Sequence, residues 1–152
     1  MISRAVLLLA GVLSVTHVGV AQADEAAMLI TPAGVDVRAH LEGGDNLVIT
    51  ILPTMDVKLN GQLGIGVKAN GASDGWQDTL PSLLMVDGDY FDGPVLQEFA
   101  FDAEAMDMPS ALLITFGACL PASGVCILEE AEVTLARETD GSLGLTLAAL
   151  EP

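Results

Sequence analysis

Short apolar or alternating runs, each closed by a cluster of turn-forming residues, restrict the fold of this chain more than any other feature. Residues 35–41 alternate apolar and polar side chains with a period of two, which predicts a strand with one buried face. Seven more strands are predicted at residues 47–52, 64–69, 82–86, 95–101, 111–118, 131–137 and 143–149. About eight short strands at this spacing are typical of an all-β sandwich or barrel, and no sustained amphipathic helix follows residue 23. We therefore expect a single all-β domain.

Three segments outside these strands are less regular. Residues 24–31 are expected to form a loose lead-in that could touch the domain through Met28-Leu29-Ile30, and residues 55–59 to add a short, irregular strand. Residues 102–109 are predicted to be a short helical turn or a loop, because they contain the best local helix-forming run of the domain.

The first 23 residues have the form of a secretory signal peptide. Arg4 supplies a positive charge, residues 5–20 are almost wholly apolar, and Ala21-Gln22-Ala23 fits the small-x-small cleavage pattern. We expect cleavage after Ala23, which leaves residues 24–152 as one domain in the periplasm or outside the cell. A retained anchor is the alternative, because the apolar run is nearly long enough to span a bilayer. No later run approaches that length, so no membrane contact is expected after the signal is removed.

The charge balance excludes some classes of partner. The chain carries 21 acidic and 5 basic residues. Nucleic acids and anionic membranes are therefore not expected partners, because binding to phosphates needs a patch of Lys and Arg. An acidic surface is compatible with a small molecule, a cation or a protein with a basic docking face, and solubility alone would also explain it.

Cys119 and Cys126 are the only cysteines, and six residues separate them. In an exported protein an even cysteine count favours a disulfide. The bridge could be structural, contributing roughly 2–3 kcal/mol by closing a small loop. It could instead exchange with other thiols, which requires an accessible sulfur and a second sulfur within reach. Residues Glu129, Glu130 and Glu132 argue for the structural role, because nearby negative charge raises the pKa of a thiol.

The cysteine segment also resembles a known family. Residues 112–135, an apolar strand leading to Cys119 and then Gly124-Val125-Cys126 leading into a second strand, resemble the amino-terminal periplasmic domain of DsbD-type thiol:disulfide interchange proteins and their ScsB-like relatives. Residues 66–86, which include Trp76, look like the family's loop and following strand. The loop between the cysteines is longer than is usual in the family. Ile127 stands where a proline is expected just after the second cysteine.

This resemblance implies an immunoglobulin-like β-sandwich for residues 24–152. It further implies that Cys119 and Cys126 are the catalytic pair, carrying electrons from a thioredoxin-like donor to oxidised periplasmic proteins without a cofactor. The protein would then be a component of a thiol:disulfide oxidoreductase system. The alternative function is a non-enzymatic periplasmic binding or accessory module in which the Cys119–Cys126 disulfide is structural.

Metal binding has weaker support in the sequence. Residues 87–93 superficially resemble a calcium loop, but the third aspartate is one residue late and no helices flank the segment, which favours a solvated turn. His40 has no second histidine nearby, so a blue-copper ligand set cannot be assembled. A Cu(I) site built from the cysteines with Met106 and Met108 is a third hypothesis, and the favoured interpretation includes no metal.

Overall fold

The computed structural model describes residues 19–21, 26–70, 83–84 and 88–150, which form eleven β-strands in two antiparallel sheets and contain no helix. In chain order the strands are β1 (Gly19–Ala21), β2 (Ala27–Ile30), β3 (Val35–Glu42), β4 (Asn46–Pro53), β5 (Lys58–Leu59), β6 (Ile65–Asn70), β7 (Leu83–Leu84), β8 (Val95–Ala100), β9 (Ser110–Leu120), β10 (Val125–Arg137) and β11 (Leu143–Ala149). The expected all-β class is confirmed, and the arrangement is consistent with a β-sandwich.

The two sheets differ in size. Within the described ranges, the larger sheet has seven strands in the order β1-β11-β10-β9-β6-β7, with β5 also paired to β9. The smaller sheet has four strands in the order β2-β3-β4-β8. Strand β9 lies near the centre of the larger sheet, paired with β10 on one side and with β5 and β6 on the other.

One hydrophobic core joins the two sheets. On β9, alternate residues from Leu112 to Ala118 are buried in this core, because side chains on a strand point to opposite faces in turn. Val37 on β3 and Ile49 on β4 contribute to the same core from the smaller sheet. Residues of β9 with odd numbers therefore lie on the outer face of the larger sheet, and Cys119 is one of them.

Strands β9 and β10 form the longest hairpin in the described part of the chain. Their pairing runs from Leu120 opposite Val125 at the tip to Ser110 opposite Leu135. Residues 121–124 make the connecting turn, in which Gly124 has a φ of 68° that favours glycine. Strand β11 pairs only with residues 131–137 of β10, so the tip of the hairpin extends beyond it.

The structure departs from the sequence-based predictions in two places. Ala27–Ile30, expected to be a loose lead-in, forms strand β2 and pairs with β3, and Ala27 and Leu29 are buried in the core. Strand β10 begins at Val125, six residues before the predicted 131–137 strand, because its ladder with β9 continues to the tip of the hairpin. Residues 103–105 form a turn, which agrees with the helical turn or loop predicted for residues 102–109.

Several predicted features remain untested. Gly19–Ala21 of the predicted signal peptide pairs with β11, and cleavage after Ala23 stays a prediction. Trp76 and most of residues 66–86 beyond Asn70 lie outside the described residues. In the described ranges, no helix has the length and apolarity needed to cross a membrane.

Candidate redox site

Cys119 and Cys126 form a disulfide with an S–S distance of 2.01 Å. They are directly opposite each other on β9 and β10, and their Cα atoms are 3.9 Å apart. That short separation corresponds to the closer, non-hydrogen-bonded type of antiparallel pair. The disulfide expected from the sequence is therefore confirmed, and it bridges two strands on the outer face of the larger sheet, away from the core.

The two sulfur-bearing residues differ sharply in exposure. Cys119 is 1% exposed, whereas Cys126 is an exposed residue. Cys119 lies on a strand with neighbours on both sides, since Lys58 of β5 is paired with it opposite Cys126. Cys126 lies on the part of β10 that β11 does not reach. A reagent from solvent therefore meets Cys126 first.

Asn60, which follows β5, lies over the disulfide. Its side-chain Nδ2 donates to Cys119 Sγ at 3.4 Å and to Cys126 Sγ at 3.7 Å. Its backbone N–H donates to the Gly117 carbonyl at 2.8 Å, and its backbone carbonyl accepts from Gly64 N–H at 3.2 Å. The sequence identified Asn60 only as half of an Asn-Gly turn, and no local pattern indicates a contact with residues 59 and 66 positions away.

Gly117 makes the close approach of this loop possible. A Cβ atom at Gly117 would lie 2.8 Å from Leu63 Cδ1 and 2.9 Å from Asn60 Cβ, both closer than side chains normally approach. Gly117 occupies the outer face of β9, two residues before Cys119. The missing side chain therefore lets the loop of residues 60–64 pack directly against the sheet beside the disulfide.

A cation and an aromatic ring lie on the other side of Cys119. Lys58 is on the same outer face as Cys119, and its Nζ is 5.3 Å from the centroid of the Tyr90 ring. Tyr90 is held in place by a bridge to Asn60. The Lys58–Tyr90 distance is in the range of a cation–π contact. This places a positive charge beside the row that contains both cysteines.

Exposed apolar residues neighbour Cys126 in sequence, with Leu128 on the same outer face and Val125 and Ile127 on the opposite face of β10. Val125 is 49% exposed, Ile127 42% and Leu128 58%, and all three flank Cys126 on β10. Across the hairpin, Leu63 is also exposed. Adjacent exposed apolar residues of this kind are more typical of a contact surface than isolated ones are.

The three glutamates expected to raise the thiol pKa are not grouped around the sulfurs. Glu129 lies on the inner face of β10, and its Oε1 accepts a hydrogen bond from Ala33 N–H at 2.8 Å. Glu130 and Glu132 share the outer face with Cys126, but Glu130 is four residues along the strand, about 13 Å at the usual rise per residue. Charges at that distance near a surface are largely screened at physiological ionic strength.

The structure gives no new support to metal binding. In the described part of the chain, no group of three or more His, Cys, Asp or Glu side chains is arranged to hold a metal ion. Met106 is buried in the core and Met108 packs against it. In the predicted calcium-like turn, Asp89 accepts a hydrogen bond from Gln62, and Asp87 lies outside the described residues.

Comparison of the chain with protein-family models, with curated proteins and with solved structures found no match. The resemblance to DsbD-type domains therefore depends on the cysteine segment itself and stays a prediction.

Proposed function

We propose that this protein exchanges electrons with a thioredoxin-like partner through the Cys119–Cys126 disulfide. The observation that supports this function best is the unequal exposure of the two cysteines. Exchange needs one sulfur that a partner thiolate can reach and a second that can leave and later resolve the mixed disulfide. Cys126 meets the first requirement, and Cys119, bonded directly to it, meets the second.

The reaction proceeds in two balanced steps. A thiolate of a reduced dithiol partner attacks Cys126 Sγ, forming the mixed disulfide and breaking the Cys119–Cys126 bond, whose electron pair leaves on Cys119 Sγ. The partner's second thiolate then attacks the partner's own sulfur in the mixed disulfide and releases Cys126 as a thiolate. The partner is oxidised to a disulfide, and this protein is reduced to two thiols. The reverse sequence passes the electrons to an oxidised protein.

The surroundings of Cys126 favour a protein as the partner. A partner sulfur that reaches Cys126 from the outer face passes the exposed side chain of Leu128, whereas the exposed Val125 and Ile127 lie on the opposite face of the hairpin tip. The acidic chain favours a partner with a basic docking face. Nucleic acid and membrane are not proposed as partners, and no cofactor or metal is needed for the exchange.

The finer fold and location belong to the same proposal. We assign the two-sheet domain of residues 24–152 to the immunoglobulin-like sandwiches of the DsbD amino-terminal type. It would act in the periplasm or outside the cell after removal of residues 1–23, where oxidising conditions allow a disulfide to persist.

A structural disulfide in a non-enzymatic binding module is the second candidate. The observation in its favour is that Cys119 is buried and that the bridge closes the tip of a hairpin. The bridge would then stabilise the domain by roughly 2–3 kcal/mol and would stay oxidised.

Single-cysteine variants separate the two candidates. Cys119→Ser leaves the exposed Cys126, and Cys126→Ser leaves the buried Cys119, so the pair differs only in which sulfur remains. Each variant is activated as a mixed disulfide with thionitrobenzoate and mixed with a thioredoxin-like protein that lacks its resolving cysteine. We expect the Cys119→Ser variant to trap the partner at least about tenfold faster, because its sulfur is accessible. Absence of trapping, with a wild-type reduction potential below about −300 mV, would leave the structural role.

A further inference from the structure

Asn60 is the only described side chain for which the structure shows hydrogen bonds to the sulfurs of both cysteines. We infer that its amide stabilises the thiolate that forms when the disulfide opens, and so sets how readily Cys119 leaves. This inference rests on the proposed exchange function. It assigns a task to a residue that neither the cysteine motif nor the resemblance includes.

The orientation of the Asn60 amide follows from its other bond. Leu63 N–H, which can only donate, lies 2.7 Å from Asn60 Oδ1. The oxygen must therefore face Leu63, because the amide nitrogen is itself a donor and cannot accept a hydrogen bond from the Leu63 N–H. The Nδ2 donor is consequently directed at the sulfurs, and the assignment does not depend on a choice between two equivalent rotamers.

Cys119 needs such a donor more than Cys126 does. A thiolate at the 1% exposed Cys119 has little contact with water, and burial in apolar surroundings raises the pKa of a thiol. A hydrogen bond to the charged form acts in the opposite direction. Since a leaving thiol of lower pKa departs faster, the Asn60 donor would accelerate attack at Cys126.

The same amide can serve both directions of exchange. Its Nδ2 is 3.4 Å from Cys119 Sγ and 3.7 Å from Cys126 Sγ, so a small shift is enough to favour either sulfur. The backbone bonds of Asn60 to Gly117 and Gly64 hold it in place before the reaction. Such a preorganised donor costs little reorganisation when the charge develops.

Other charged groups around the pair must be considered in any pH measurement. On β5, Lys58 lies beside Cys119, with its Nζ against the Tyr90 ring. On β10, the outer-face carboxylate nearest in sequence to Cys126 is Glu130. Next to the loop of residues 60–64, Asp89 accepts a hydrogen bond from Gln62. These groups are unchanged in the variant below, so they cancel in the comparison.

Asn60→Asp is the decisive variant. Aspartate keeps the shape of the side chain and an oxygen that accepts from Leu63 N–H, but it replaces the donor to the sulfurs with a second oxygen. We expect the pKa of the Cys119 thiol in the reduced protein to rise. We also expect the oxidised protein to be opened by dithiothreitol, and by the thioredoxin-like partner, at least about threefold more slowly than wild type.

Gln62→Glu is the matched control. It makes the same amide-to-acid change two positions along the same loop, at an exposed side chain bonded to Asp89 and not to sulfur. We expect its thiol pKa and its opening rate to stay close to those of wild type. If Gln62→Glu slows opening as much as Asn60→Asp does, the effect is one of added charge and the inference is overturned.

A measurement on the unmodified protein covers the case in which Asn60→Asp does not fold. In reduced, ¹⁵N-labelled wild-type protein, the Asn60 side-chain amide resonances should titrate with the midpoint of thiolate formation. Resonances that do not respond would overturn the inference. If the amide responds and Asn60→Asp shifts the pKa, but no thioredoxin-like partner reacts with wild type, the exchange function fails while the hydrogen bond stands.

Discussion

At the scale of single residues, the site depends on a side chain that is absent. Gly117 has no Cβ, and Asn60 and Leu63 occupy the space where a Cβ would be. The backbone N–H of Asn60 also donates to the Gly117 carbonyl. One glycine therefore allows the loop to reach the sheet, and the loop in turn brings the Asn60 amide to the sulfurs.

Gly117→Ala should destabilise the protein by about 1–3 kcal/mol, because the Asn60 backbone fixes the position of Asn60 Cβ, which no side-chain rotation can move away from the added methyl group. Chemical denaturation of the oxidised protein measures this loss. The double variant Gly117→Ala/Leu63→Ala should recover part of it, since Leu63 Cδ1 makes the closer of the two contacts. A single variant as stable as wild type would show that the loop does not pack as tightly as described.

At the scale of elements, β10 has different surroundings at its two ends. Residues 131–135 are paired on both sides, with β9 and β11, whereas Val125–Leu128 pair with β9 alone among the described residues. At the far end of β10, residues 138–142 turn the chain into β11. There the Asp140 carboxylate accepts from Ser142 Oγ at 2.6 Å and from Ser142 N–H at 2.9 Å. The hairpin that carries Cys126 is thus anchored at one end and exposed at the other.

The turn before β11 should make a small, pH-dependent contribution to stability. The Ser142 hydroxyl and then its N–H hold the pKa of Asp140 below the ordinary value. A lowered folded-state pKa stabilises the protein above the unfolded-state pKa, and this contribution is lost as the pH falls through the folded-state value. Ser142→Ala should therefore raise the pKa of Asp140, and it should cost more stability at neutral pH than in acid.

An NMR titration of the Asp140 carboxyl carbon, together with denaturation at the two pH values, checks this prediction. Ser123→Ala is a suitable control, because the Ser123 hydroxyl donates to the Leu120 carbonyl in the other turn of β10 and meets no carboxylate. An unchanged Asp140 midpoint in Ser142→Ala would contradict the assigned hydrogen bond.

At the scale of the whole molecule, a buried carboxylate links the two sheets. Glu129 of β10 is 6% exposed, and its Oε1 accepts from Ala33 N–H in the turn between β2 and β3. This bond complements the apolar core, and it joins the hairpin that carries the disulfide to the smaller sheet. It also explains why an acidic residue lies on the inner face of β10.

Glu129→Ala should cost about 1–3 kcal/mol, because the Ala33 N–H loses its acceptor in a partly buried position. Glu129→Gln is the matched control and should cost less, since the amide retains an oxygen that can accept the bond. Urea denaturation of both variants in the oxidised state measures the difference. Equal losses would mean that the negative charge of Glu129, and not its acceptor oxygen, is what the fold uses.

The sequence alone predicted the strands that depend on local patterns. Strand β3 and strand β11 match the predictions to within a residue, because alternation and turn residues are read over short distances. The cysteine pair was also predictable, since spacing restricts which sulfurs can meet. Strand β2 was missed because its run of four apolar residues is short and shows no alternation, and pairing with β3 decides its conformation.

Only the tertiary structure decided which sulfur is exposed and what lies against it. Asn60 is 59 residues from Cys119 and 66 from Cys126, so no window of sequence contains the contact. The contact forms because β5 pairs with β9 and because Gly117 leaves room for the loop that follows β5. The sequence determined that two cysteines could pair. The packing of distant strands placed one of them in solvent and a hydrogen-bond donor over both.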